Sequence, residues 1–169
     1  MIVMNWYAIQ TIKGQEEDIK TQAEILLPGI DFRLLYRIGE FKYQGKWVER
    51  RLPLYSGYLF VITDDPWDVR NGLRKVFRFC KVVEFDGELI PLKADEQHIL
   101  ETLSDDDGIV EMSKGIECGD RVVVIDGPLK GFESKIVHID RRKKLASLEI
   151  SIGDSNGRMV VGLEVVSKA

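Results

Sequence analysis

The sequence predicts an α+β domain, with an antiparallel sheet and helices, followed by a small β-barrel. Up to residue 103, strands rich in aromatic and β-branched residues alternate with amphipathic helical segments. A polar, acidic stretch around residues 104–108 then interrupts the pattern. Beyond it, short β-branched strands separated by glycines recur to the end of the chain. We therefore expect a first domain over residues 1–104, a linker over 105–117 and a barrel over 118–169.

The elements of the first domain have local signals. A Lys13-Gly14 pair ends the first strand, and Pro28-Gly29 ends the helix whose apolar residues recur at helical spacing. Gln44-Gly45 is a hairpin signal, and Asp64-Asp65-Pro66 suits the start of a helix because the acid and the proline fit the exposed amides there. Strands are expected at residues 6–12, 32–41, 47–54, 58–63 and 82–85, and helices at 19–27, 67–75 and 92–103.

The barrel is predicted from four short β-branched segments with glycines and charged turns between them. They lie at residues 121–125, 135–139, 146–151 and 159–161.

Composition excludes several classes of protein. The chain has 169 residues and only two cysteines, too few for a disulfide framework. It contains no apolar run near the roughly 20 residues that a membrane helix needs, and its first residues lack the features of a signal peptide. We expect a cytoplasmic monomer without membrane association.

Charge is distributed unevenly along the chain. With 24 basic and 28 acidic side chains the net charge is −4, which taken alone argues against a nucleic-acid partner. Residues 32–81, however, carry +6 and residues 118–169 carry +2, whereas residues 82–117 carry −9. Because a charge acts over only about 8–10 Å at physiological salt, a protein of negative net charge can still offer nucleic acid local basic surfaces.

Catalytic and metal-binding signals are missing. His98, His138, Cys80 and Cys118 do not occur at metal-ligand spacing, and no nucleophile, phosphate-loop or dinucleotide motif is present. We expect a protein that is not an enzyme and has no metal site or cofactor.

The C-terminal part carries a recognisable turn. The residues Gly119, Asp120, Gly127, Pro128 and Gly131 frame the sequence GDRVVVIDGPLKGF. This segment resembles the KOW motif, which begins a small barrel in ribosomal proteins and transcription elongation factors.

The N-terminal part makes the resemblance specific. The segment NWYAIQT at residues 5–11, followed by Gly14 and Glu16, is similar to the opening of the NusG N-terminal (NGN) domain. The segment LYSGYLFV at residues 54–61 resembles the proline-glycine-tyrosine strand of that domain, with Ser56 where proline is usual. An NGN domain followed by a KOW domain covers nearly the whole chain, and the chain is identified as a member of the NusG family.

This resemblance implies a factor that binds the clamp region of RNA polymerase and favours its pause-resistant state without catalysis. The implied contact is an apolar and aromatic pocket of the NGN domain. An alternative for Tyr58 and Phe60 is that they fill the core, and the same holds for Trp67. The residues that match the contact positions are Trp6, Tyr7, Gln10, Tyr55, Tyr58, Phe60, Trp67 and Arg70.

Within the family the sequence is most similar to LoaP, a paralog class of antiterminators associated with a leader RNA hairpin. Three features suggest this similarity: a basic tetrad, an altered segment at 152–158 and a basic hairpin region. The tetrad is Arg141-Arg142-Lys143-Lys144, and the basic residues of the hairpin region are Arg33, Arg37, Lys42, Lys46, Arg50 and Arg51. Basic groups on a rigid turn suit structured RNA. The expected RNA-binding residues are Lys130, Lys135, Arg141, Arg142, Lys143 and Lys144 of the barrel, with Arg74, Lys75 and Arg78 of the first domain, which could instead contact DNA near the polymerase cleft.

Two alternatives remain open. The tetrad could be only a solubilising turn. The protein could also be a core NusG-type factor, whose KOW domain binds the termination factor Rho or a ribosomal protein without specific affinity for RNA.

Overall fold

The computed structural model describes residues 4–150 and 158–168. It has three α-helices, α1 (Glu16–Leu26), α2 (Pro66–Leu73) and α3 (Ala94–Leu103), and one 3₁₀ turn at Glu133–Lys135. The first nine strands are β1 (Asn5–Thr11), β2 (Asp31–Arg33), β3 (Tyr36–Tyr43), β4 (Lys46–Pro53), β5 (Tyr58–Thr63), β6 (Cys80–Val82), β7 (Glu84–Phe85), β8 (Glu88–Leu89) and β9 (Ile109–Val110). The remaining strands are β10 (Ser113–Cys118), β11 (Arg121–Asp126), β12 (Ile136–Asp140), β13 (Leu145–Glu149) and β14 (Arg158–Lys168).

The chain divides into two compact units that are not contiguous in sequence. The first unit comprises Met1–Leu35 and Tyr55–Gln97, and the second comprises Tyr36–Leu54 and His98–Ala169. The hairpin formed by β3 and β4 therefore belongs to the same unit as the C-terminal strands. The linear division at residues 104 and 118 stays a prediction.

The first unit is built on a four-stranded sheet in the order β2-β5-β1-β6. Its two central strands are antiparallel, with Ala8 opposite Phe60 and Gln10 opposite Tyr58. One face carries Ile9 and Leu59, which are both completely buried, and helix α1 contacts β2 and β5. Since side chains alternate along a strand, the other face carries Trp6, Ala8 and Gln10.

Helix α2 begins as the sequence predicts. Pro66 occupies its first turn, and the Asp68 amide donates a hydrogen bond to the Asp65 carboxylate at 3.2 Å. The helix ends at Leu73, two residues earlier than predicted, because the chain turns away there to reach β6.

The predicted hairpin is also confirmed. Gln44 and Gly45 both adopt positive φ angles, of 50° and 78°, and Tyr43 pairs with Lys46 across this two-residue turn. The predicted strand over residues 32–41 is interrupted between β2 and β3, at Leu34 and Leu35. Both leucines are buried, which breaks the alternation that a continuous strand on one sheet would need.

The second unit contains a five-stranded sheet in the order β11-β10-β14-β13-β12. Strand β14 is its centre, pairing parallel with β10 and antiparallel with β13. Strand β9 and all but the last residue of β10 lie within the stretch expected to be a linker, so much of residues 105–117 is folded. Val110 and Ser113 there are completely buried, a pattern that the neighbouring acids obscure in the sequence.

Strand β14 is longer than predicted, and β10 is missing from the sequence-based assignment. The predicted end of the third barrel strand, Ser151, lies outside the described residues, as does most of the altered segment at 152–158. In the described part of the chain, no helix is long and apolar enough to span a membrane.

The turn after β11 passes close to β10. Gly127 has a φ of +102°, and a Cβ atom there would lie 2.5 Å from Ser113 Cα and 2.8 Å from the Met112 carbonyl oxygen. The buried Ser113 hydroxyl accepts a hydrogen bond from the Leu129 amide at 3.0 Å. This contact explains why a glycine is needed at residue 127.

We expect Gly127→Ala to lower the free energy of unfolding by about 3–5 kcal/mol, because backbone strain adds to overpacking. The matched control is Gly131→Ala. Gly131 also has a positive φ, but a Cβ atom at this position would meet no other part of the chain within 4 Å, so the expected cost is only about 1–2 kcal/mol. Urea denaturation measures the free energy of unfolding of both variants. Equal losses would contradict the close approach of Gly127 to Met112 and Ser113.

Candidate functional site

The aromatic residues expected to contact polymerase occupy different environments. Trp6 and Phe60 are each 1% exposed, and their ring centroids lie 6.0 Å apart. Tyr55 is also buried and packs edge-on against Phe60 at 6.2 Å. These three rings form a core cluster of the first unit, so for Phe60 the structure favours the alternative of a core role.

Gln10 and Tyr58 are the part of the predicted sheet site that reaches the surface. They lie directly opposite each other on β1 and β5, and both are half-buried. Tyr7 faces the opposite, buried side of the sheet. The aromatic core thus supports a small surface made of Gln10 and Tyr58, with the Arg33 guanidinium 5.4 Å from the Trp6 ring centroid.

The Tyr55 hydroxyl is buried and finds no hydrogen-bond partner among the described residues. Burial raises the pKa of this hydroxyl far above its ordinary value, and the negative charge of Glu96 raises it further. Tyr55 is therefore a neutral group at physiological pH.

Helix α2 presents a second candidate surface. Trp67 is 45% exposed, which excludes the core alternative for this residue, and the Arg70 guanidinium lies 5.3 Å from its ring centroid. Arg70 also approaches the Glu84 carboxylate at 3.9 Å. This arrangement gives an aromatic and cationic surface at the start of α2.

The basic segment after α2 is fixed to α1. Arg78 forms an ion pair with Asp18, and the Phe77 amide donates to the Gln22 side chain at 2.9 Å. Arg74 and Lys75 are exposed. The sequence analysis did not predict that Phe77 is 89% exposed. The position of Phe77 and Phe79 within a run of basic residues is the signal that could have indicated an exposed ring.

The basic tetrad of the barrel is only partly available to a ligand. Arg141 forms an ion pair with Glu117, and the Lys144 side chain is only 14% exposed. Acids from other strands thus partner these two cations, and the expected role of the tetrad in RNA binding stays a prediction. Arg142 and Lys143 are exposed and form no ion pair with the described residues, and Lys130 and Lys135 are exposed as well.

Lys144 connects the barrel to the β3–β4 hairpin. Its ammonium donates to Glu40 at 2.7 Å, lies 3.4 Å from Glu164 and stands 3.9 Å from the Trp47 ring centroid. The residue has a positive φ of 57°, unusual for a lysine, and the Leu163 amide donates to its carbonyl at 2.9 Å. This conformation directs the side chain to the hairpin.

The electrostatics of Lys144 follow from these contacts. Burial alone would lower the pKa of its ammonium, but the hydrogen bond to Glu40 and the charges of Glu164 and Glu40 raise the pKa above its ordinary value. The group is therefore fully charged in the folded protein near neutral pH.

The motif residues of the barrel are structural. Gly119 and Asp120 form the two-residue turn between β10 and β11, where Gly119 has a φ of 63°. Gly127, Pro128 and Gly131 shape the turn that covers Ser113, with Leu129 completely buried beneath it. Among the residues that the structure describes, no three His, Cys, Asp or Glu side chains are grouped so as to hold a metal ion.

Family models match both the N-terminal and the C-terminal part of the chain. Residues 4–101 match the family model described as transcription termination factor nusG, and residues 118–149 match the KOW motif. The chain is 29% identical over 163 residues to a transcription termination/antitermination protein NusG of Helicobacter pylori, covering 89% of this chain and 90% of that protein. A protein of the same description from Thermus thermophilus is 28% identical over 172 residues, covering 88% and 90%.

A solved structure supports the fold. The structure titled "Domain interaction in Thermotoga maritima NusG" aligns with a TM-score of 0.55 and 22% identity, covering 96% of this chain and 94% of that one. The expected fold, an NGN sheet with helices followed by a KOW domain, is thus confirmed.

We expect Lys144→Met to lower the free energy of unfolding by about 1–3 kcal/mol near neutral pH, because a charged hydrogen-bonding group is lost. Since the folded-state pKa of Lys144 is raised, its contribution is complete below the unfolded-state pKa near 10.4 and is lost as pH rises through the folded-state pKa. Urea unfolding between neutral and strongly alkaline pH measures this difference.

The matched control for this experiment is Lys143→Met, which removes the same charge from an exposed neighbour. We expect it to change stability by less than about 0.5 kcal/mol. A difference between wild type and Lys144→Met that did not shrink at alkaline pH would contradict the role given to the ammonium.

We expect Phe60→Ala to cost about 3–5 kcal/mol of stability, because it empties the centre of the aromatic core. Tyr58→Ala removes a half-buried ring from the same strand and should cost about 1 kcal/mol. Thermal and urea unfolding of the two variants compares them directly. Similar losses of stability would contradict the assignment of Phe60 to the core and of Tyr58 to the surface.

Proposed function

Because the chain belongs to the NusG family, whose members are transcription termination and antitermination factors, we propose that it binds the clamp region of RNA polymerase through its first compact unit. Bound there, it suppresses pausing and termination. The observation that carries this proposal is the combination of a rigid aromatic core with Gln10 and Tyr58 at the sheet surface and Trp67 and Arg70 on α2.

The mechanism requires binding only. A factor that binds the elongating state of polymerase more tightly than the paused state shifts the population toward elongation by its difference in affinity. An exposed tryptophan with an arginine beside it is the kind of group that contributes most to such interfaces.

The second compact unit supplies the proposed specificity. A LoaP-like antiterminator would recognise a hairpin in the leader transcript of its operon through exposed cations of the barrel. Arg142, Lys143, Lys130 and Lys135 are the exposed members of the expected set. Arg74 and Lys75 of the first unit would add contacts to the same RNA or to DNA near the polymerase cleft.

A second candidate is a general elongation factor whose KOW domain binds Rho or a ribosomal protein. Two of the four tetrad cations are neutralised by Glu117, Glu40 and Glu164, which leaves less charge for RNA. The relatives from Helicobacter pylori and Thermus thermophilus are also described as transcription termination/antitermination protein NusG, not as a specialised paralog.

Replacing the aromatic side chain of each candidate surface tests the polymerase contact. We expect Tyr58→Ala combined with Trp67→Ala to weaken binding to core polymerase by roughly tenfold or more, because buried aromatic anchors dominate interface energies. Biolayer interferometry with purified polymerase measures the affinity. Phe85→Ala, which removes another exposed aromatic ring of the same unit, should leave binding unchanged.

Retention of full affinity by the folded double variant would overturn the proposed polymerase surface.

Gel-shift titrations across the leader RNAs near the protein's own gene distinguish the two candidate functions. An antiterminator should bind one leader hairpin tightly, and Arg142→Ala combined with Lys143→Ala should weaken that binding about tenfold and reduce its salt dependence. Weak binding without preference among leaders at physiological salt would favour the general factor.

A further inference from the structure

We propose that the tip of the β3–β4 hairpin and the barrel turn at residues 141–144 form one RNA-binding surface, called here the tip–turn surface. In it Lys42 and Lys46 contact phosphates, and Tyr43 stacks on an unpaired base in the loop of an RNA hairpin. This inference rests on the proposed recognition of structured RNA, and it adds to it residues that are about one hundred positions away in sequence.

The two parts of the surface meet at Trp47. The Lys144 ammonium lies 3.9 Å from the centroid of the Trp47 ring, and the Lys42 ammonium lies 5.4 Å from the same centroid. Lys42 and Trp47 pair across the hairpin, one step from its turn. Because Arg142 and Lys143 adjoin Lys144, the exposed cations of the turn lie next to those of the tip.

Close backbone packing fixes the hairpin in this position. A Cβ atom on Gly162 of β14 would lie 2.9 Å from the Ile38 carbonyl oxygen of β3, so only glycine allows the two strands to approach this closely. The ion pair of Lys144 with Glu40 adds a second connection, at 2.7 Å. The arrangement of the tip relative to the turn is therefore a property of the folded unit.

Four exposed cations of the surface are not paired with an acid of the described chain. Lys42, Lys46, Arg142 and Lys143 are exposed and form no ion pair with the described residues. Glu40 is engaged by Lys144, and the other acid of the hairpin, Glu49, pairs in register with Glu40, away from the tip. Asp140, the acid at the start of the turn, accepts a hydrogen bond from the Lys143 backbone amide at 3.0 Å and forms no ion pair with these four side chains. The four cations are therefore available to a phosphate backbone.

Aromatic side chains lie among these cations. Tyr43 is 66% exposed at the last position of β3, and Trp47 is 42% exposed. Aromatic rings held on strands stack on unpaired bases, and each such contact contributes substantially to affinity. A stem contacting Arg142 and Lys143 would place its loop against Tyr43, which is why the occupant we assign is an RNA hairpin with unpaired loop nucleotides.

Fluorescence anisotropy with two labelled RNAs tests this proposal. One probe is a stem of about ten base pairs closed by about eight unpaired uridines, and the other is the same stem closed by a tight four-nucleotide loop. We expect Tyr43→Ala to bind the open-loop probe roughly tenfold more weakly, with little change for the tight-loop probe, and Tyr43→Phe to retain wild-type affinity. Circular dichroism and thermal unfolding confirm that each variant is folded.

The lysines are tested through salt dependence. Lys42→Ala combined with Lys46→Ala should lower the slope of log K against log salt by about 1.5, because two phosphate contacts are lost. The matched control, Lys13→Ala combined with Lys93→Ala, removes two exposed lysines from the other compact unit and should leave the slope unchanged.

Several results would overturn the tip–turn surface. In one such result, the tip variants would bind both probes like wild type while Arg142→Ala combined with Lys143→Ala lost affinity. The barrel would then bind RNA without the β3–β4 hairpin, so the proposed function would stand and the tip–turn surface would not. If poly-glutamate bound as tightly as the open-loop probe and independently of Tyr43, the occupant would be an acidic protein. If wild type bound neither probe at low salt, the surface would not bind RNA.

Discussion

A single ammonium group joins the two sequence-distant parts of the second unit. Lys144 reaches Glu40 on the hairpin, Glu164 on the central strand of the barrel and the face of Trp47. Its left-handed backbone conformation and the bond from the Leu163 amide hold it in place. A charge so enclosed is stable only when its partners remain, so the placement of the hairpin, the turn and β14 depends on one another.

The two units combine rigidity with accessible polar groups in different ways. In the first unit, the rings of Trp6, Phe60 and Tyr55 fill the interior and leave Gln10 and Tyr58 at the surface above them. In the second, the acids neutralise some cations of a basic turn and leave others exposed. Both surfaces are thus carried by elements whose positions are fixed by packing, which limits the entropy lost when a partner binds.

Local signals in the sequence predicted most elements, because they act within a few residues. The proline and aspartate at the start of α2 and the Gln44-Gly45 turn are examples. The formation of strand β10 was not predicted and the burial of Phe60 was only an alternative, because each depends on a segment that is distant in sequence. The ion pairs of Arg141 and Lys144 were not predicted for the same reason, since their partners are Glu117, Glu40 and Glu164. A basic tetrad shows its charge in the sequence, but its acidic partners are visible only after folding.

The position of β14 has a consequence for synthesis. This strand comes last in the described chain, yet it pairs with β10 and β13 and receives β3 at Gly162. During translation, residues 36–54 emerge early, but β3 cannot pair with β9 before residue 110 is made, and it cannot pack against Gly162 before β14 has left the ribosome. The first unit is complete by residue 97 and can fold before the second. The β3–β4 hairpin therefore stays exposed until the rest of its own compact unit has been synthesised.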